Sequence, residues 1–77
     1  MNNKDINYYM GLKYPFVVWQ EPNDTAWFAK IPLLPGLITH AEKFADLEAM
    51  IEDAKRGYLE VSLEYGDPIP EPDSIRA

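Results

Sequence analysis

The stretch Thr25-Ala26-Trp27-Phe28-Ala29-Lys30-Ile31-Pro32-Leu33-Leu34-Pro35-Gly36 decides the fold. Its first seven residues are rich in aromatic and β-branched side chains and too short for a helix, so they read as a strand. Strand alternation places Trp27, Ala29 and Ile31 on one face and Phe28 and Lys30 on the other. Pro32 and Pro35 lack the N–H that a central strand needs, so the chain must bend there.

Working outward, Tyr14-Pro15-Phe16-Val17-Val18-Trp19-Gln20 has the same strand character, with Pro15 confined to its start or to an edge. Glu21-Pro22-Asn23-Asp24 supplies turn chemistry between the two strands, which pair as an antiparallel hairpin. Beyond the bend, Leu37-Ile38-Thr39-His40-Ala41 reads as a short third strand. The apolar period then becomes helical. Leu47, Ile51, Ala54, Tyr58, Val61 and Tyr65 recur at steps of four and three, and Phe44 and Met50 widen the stripe at its start. Gly66 and Pro68 end the helix, and Gly57 inside it is a weak spot or a point of close packing.

The expected architecture is therefore β-β-β-α: an α+β fold with a three-stranded antiparallel sheet and one helix packed on one face. Residues 1–13 read as an N-terminal extension, 14–66 as the domain, and 67–77 as a proline-rich acidic tail. Phe16 and Val18 point one way from the first strand, Val17 and Trp19 the other. One helix covers only one face, so the second calls for another chain, and a homodimer or higher homo-oligomer is expected.

At 77 residues the chain holds one domain, and its 47% apolar content is too high for a disordered segment. No cysteine is present, which removes disulfides, thiolate metal sites and thiol catalysis. No signal peptide and no apolar run of spanning length is visible, so a soluble cytoplasmic protein is expected. The formal charge of −6 is unevenly placed. Three acids balance three bases up to residue 41, whereas ten acids face four bases from residue 42 onward. A chain whose helix and tail carry the whole excess does not grip phosphate backbones; it suits a basic partner.

Catalytic patterns are sparse. His40 is the single histidine and has no Ser, Asp or second His at a working spacing, so it reads as an ordinary strand residue. The helix carboxylates, among them Glu48, Glu52, Glu60 and Glu64, read individually as a solvated face. As metal ligands of a hydrolase they lack an acidic companion on the first strand. Trp27 shares its face with Ala29 and Ile31 and belongs to the core, leaving Trp19 as the tryptophan for an interface.

Three segments in order resemble the HicB-type antitoxins: Tyr14-Pro15-Phe16-Val17-Val18 as the opening strand, Ala29-Lys30-Ile31-Pro32-Leu33-Leu34-Pro35-Gly36 as the strand-and-bend hallmark, and Gly66-Asp67-Pro68-Ile69-Pro70-Glu71-Pro72 as the terminal segment. The chain departs from that pattern at Leu37, where a cysteine is common, and at Ala41-Glu42-Lys43, where a capping turn is usual. The resemblance implies a partial, non-catalytic ribonuclease-H-like fold. It also implies a HicA-type toxin as partner, a small basic RNA-cleaving protein whose active surface is covered by the antitoxin. It implies no enzyme activity and no cofactor, and the absence of a C-terminal DNA-binding segment leads us to expect no direct DNA binding. The partner-binding candidates are Trp19, Glu48, Glu52, Glu60 and Glu64, with no catalytic and no metal residue. The other reading of the same fold is an orphan protein-interaction module without a toxin.

Overall fold

The computed structural model describes residues 4–72. In order along the chain the elements are α1 (Ile6–Met10), β1 (Val17–Trp19), β2 (Trp27–Lys30), β3 (Ile38–Ala41) and α2 (Phe44–Tyr65). The three strands form one antiparallel sheet in the order β1-β2-β3. The expected sheet-and-helix architecture is what the chain adopts.

Each connection follows from its residues. Between β1 and β2, Pro22 presets the first turn position and Asn23 takes the left-handed φ of 66°. The turn closes through the Asp24 amide on the Glu21 carbonyl at 3.2 Å. Asp24 then accepts the Ala26 amide at 2.9 Å, an Asx turn that launches β2. After β2 two turns follow in succession, closed by Leu34 N to Ile31 O and Leu37 N to Leu34 O at 2.9 and 3.1 Å. In the second, Pro35 fixes the descending φ and Gly36 supplies the positive φ of 89°. This double turn drives Leu34 and Leu37 into the core.

The sheet's inner face and α2 enclose that core, formed chiefly by Ala29, Ile31, Leu34, Leu37, Leu47 and Ile51. Trp27 packs against it and meets Phe44 edge-on at 4.9 Å. α2 begins at Lys43 without a side-chain cap and ends in a Schellman motif, with Gly66 left-handed, its amide on Leu63 O and the Asp67 amide on Ser62 O.

Two features differ from the reading of the sequence. The helical stripe through Leu47, Ile51, Ala54, Tyr58, Val61 and Tyr65 holds only in its first half. Val61 and Tyr65 are exposed, as are Phe44 and Met50, while Lys55, Leu59 and Ser62 are buried. The reason is length. A helix of 22 residues runs about 33 Å, whereas four-residue strands span about 13 Å. α2 outruns the sheet, and α1 packs against it near Lys55, whose Nζ donates to the Met10 and Leu12 carbonyls. Leu47, Ile51, Lys55 and Leu59 are buried at steps of four, so the buried face drifts around the helix along its length.

The second difference is α1 itself, formed within the segment read as an extension. Asp5 caps it by accepting the Tyr8 amide at 3.0 Å, Gly11 follows its last turn, and Tyr9 is its buried residue.

Candidate interaction surfaces

The register sorts the strand residues into two faces. Val18, Ala29 and Thr39, with Trp27 and Ala41, face α2. Val17, Lys30 and Ile38, with Trp19, Phe28 and His40, form the outer face, on which no described element packs. Val17 and Ile38 are 45% and 60% exposed there. The three rings stand in a row across the strands: Trp19 stacks on Phe28 at 5.7 Å, and Phe28 meets His40 at 5.8 Å. Lys30 Nζ lies 5.9 Å from the Trp19 ring, a cation–π distance. None of these six residues is acidic. The nearby Glu21 carboxylate accepts a hydrogen bond from Trp19 Nε1 at 2.7 Å.

The acidic surface lies elsewhere. Glu48 and Glu52 are exposed neighbours on one turn of α2 and line a common groove with Phe16 and Ile51. Glu60 and Glu64 are exposed further down the helix, around its outer side. Trp19 belongs to the opposite face of the sheet. The structure thus brings Glu48 and Glu52 together but separates them from Glu60, Glu64 and Trp19. Sequence reasoning did not single out Phe28 and His40 as companions of Trp19, nor Phe16 and Phe44 as exposed aromatics. Strict alternation carried across all three strands would have found the first pair.

A third region joins the chain ends. Glu71 accepts Lys4 Nζ at 3.0 Å and the Tyr8 hydroxyl at 2.8 Å. These bonds hold the Glu71 carboxyl below its ordinary range and raise both Lys4 and Tyr8 above theirs. The Tyr14 hydroxyl donates to the Pro70 carbonyl. Burial, with the Glu71 charge second, pushes the Tyr14 phenol up to about 12. Beneath this, the largely buried Lys55 donates to the carbonyls of Met10 and Leu12.

Among the described residues, no group of three or more His, Asp or Glu side chains is placed to hold a metal ion. No helix among them is long and apolar enough to cross a membrane. The described residues thus present two surfaces of different character, one aromatic with Lys30 as its basic residue and one acidic.

Residues 14–77 match the family model described as HicB_like antitoxin of bacterial toxin-antitoxin system. The chain belongs to the HicB-like antitoxin family. The match starts at the tyrosine that opens the first predicted strand and includes the Pro32–Gly36 double turn, α2 and the tail. No curated protein and no solved structure matches the chain. Membership gives the protein a toxin-antitoxin role and implies a toxin as its partner.

Proposed function

We propose that this chain is a stoichiometric, non-enzymatic antitoxin that binds a small basic RNA-cleaving toxin of the HicA type in the cytoplasm and covers its active surface. Apart from family membership, the observation that carries this reading is the segregation of charge. Exposed carboxylates project from α2, where they present a negative field to a protein whose own ligand is RNA. Glu48, Glu52, Glu60 and Glu64 supply that field and steer the encounter. Apolar contact slows release.

The outer sheet face has a different use. It carries no carboxylate among Val17, Trp19, Phe28, Lys30, Ile38 and His40, so it is where two copies of a chain of net charge −6 meet with least repulsion. Trp19 is then a residue of the homodimer contact, apart from the glutamates that meet the toxin.

The test is to express the chain with the protein of the adjacent reading frame and measure the mass of the purified complex by light scattering. A stable complex with a basic partner is expected, together with dimeric mass for the chain alone. A chain that stays alone beside a folded, basic neighbour is the orphan interaction module instead.

A further inference from the structure

α2 is not centred on the sheet. Its backbone runs close to β3 and β2 but not to β1, so β1, although Val18 reaches the core, overhangs an open groove. Phe16 and Val18 form one wall, Leu47 and Ile51 the other, Phe44 closes one end, and Glu48 stands at the rim. The groove holds about 340 Å³, at the small end for ligand sites, and Glu48 is its one charged side chain. Phe16 and Phe44 are 50% and 59% exposed, so the groove offers two aromatic rings to an occupant. Next to it runs a second groove that shares Phe16, Glu48 and Ile51 and adds Glu52 together with Lys13 and the buried Lys55. Among the described residues β1 has β2 as its one sheet neighbour, and no described strand pairs with its other edge.

We propose that this groove is a docking site for an extended segment of a basic partner, which adds as a strand on the free edge of β1. The segment seats one branched or aromatic side chain between Phe16 and Phe44 and brings a Lys or Arg to Glu48.

The occupant follows from geometry and charge. A strand on the β1 edge presents alternate side chains to the groove about 7 Å apart, so one apolar group enters and its neighbour two positions away reaches the rim. Main-chain bonds supply affinity and the groove supplies selectivity. A second copy of this chain is disfavoured, because pairing β1 with its own image would gather Glu48 and Glu52 of both copies around one apolar contact. Among the described residues the sole ion pair is Lys4–Glu71, so neither glutamate is already neutralised by a salt bridge. The assignment of the partner as the toxin rests on the antitoxin reading; the groove and its chemistry do not.

Two measurements separate those claims. The first titrates the isotopically labelled chain with a short acetylated peptide of Leu-Thr-Lys-Thr repeats, which sets leucine and lysine two positions apart on one strand face, and with its glutamate-for-lysine counterpart. Amide shifts confined to residues 16–19 and 44–52, absent with the acidic peptide and lost in Phe16→Ser, are expected. Shifts on the outer face, or spread evenly along α2, overturn the docking site whatever the toxin does. The second measures association and dissociation of the co-expressed toxin. Glu48→Lys should speed dissociation at least 30-fold, while Glu64→Lys, an equal charge change outside the groove, should slow association a few-fold and leave dissociation unchanged. Equal effects of the two reversals overturn the groove as the toxin's contact. A peptide that maps to the groove beside a toxin that does not bind overturns the antitoxin reading alone.

Discussion

The side-chain nitrogen of Lys55 lies 2.9 Å from the carbonyl oxygen of Leu12, and the same atom donates to Met10 O at 3.2 Å. A lysine only 4% exposed thereby satisfies carbonyls at the end of α1 and ties that helix to the middle of α2. It also lies 5.3 Å from the Tyr14 ring, so one residue joins α1, the strand entry and α2. Lys55→Met keeps the aliphatic stem and removes the donors. It should cost about 2–3 kcal/mol in urea unfolding, and amide exchange of residues 6–10 should accelerate more than that of the sheet.

Gly57 is the simplest gain. It sits within α2 with a helical backbone, it is exposed, and a Cβ there would meet nothing within 4 Å. Of the two sequence readings of this glycine, close packing within the chain is therefore set aside. Gly57→Ala should stabilise the fold by about 1 kcal/mol, measured by denaturant midpoint at unchanged m-value.

Tyr14 couples the tail to the domain and titrates late. Its phenol is held neutral in the folded state up to about 12, against an ordinary 10. The folded chain thus keeps a proton that the unfolded chain loses, so this contribution is complete below pH 10 and is lost as pH rises toward 12. Tyr14→Phe should cost about 1 kcal/mol at neutral pH through the missing bond to Pro70. It should also remove the latest-titrating phenolate absorbance.

Glu71 works in the opposite direction on the pH scale. Its carboxyl lies below the ordinary 4.5 because Lys4 and Tyr8 donate to it. Its contribution is therefore present above pH 4.5 and is lost as pH falls through the lowered value. Glu71→Gln should flatten the acid limb of the stability profile, start the alkaline limb at lower pH because the Glu71 charge also helps to raise the Tyr14 phenol, and loosen amides of residues 4–8 as seen by exchange.

The sheet was legible because its punctuation is chemical. Pro22-Asn23, Pro32 and Pro35-Gly36 each impose a backbone geometry that few alternatives satisfy, and the alternation in Trp27–Lys30 then assigns faces without further information. The second half of α2 was not legible, because periodicity reports a single apolar stripe and cannot register a change of packing partner part-way along a helix. Lys55 illustrates the difficulty: a lysine reads as solvent-facing until a helix end with unsatisfied carbonyls is placed against it. α1 did leave a signal in Asp5 and Gly11 at either end of Ile6–Met10, but five residues are too few to outweigh the polar composition around them. For the candidate site, sequence located the charge on α2 but not its division into a groove side and an outer side. That division depends on where the helix sits over the sheet.

The most direct measurement of the central claim is cleavage of a structured RNA by the purified basic neighbour as the chain is added. Inhibition that is complete at equimolar chain and rises again with charge reversal at Glu48, Glu52, Glu60 and Glu64 is the expected result, with a weaker dependence of binding on salt in the reversed variant. Undiminished cleavage at several-fold excess of folded chain would contradict it.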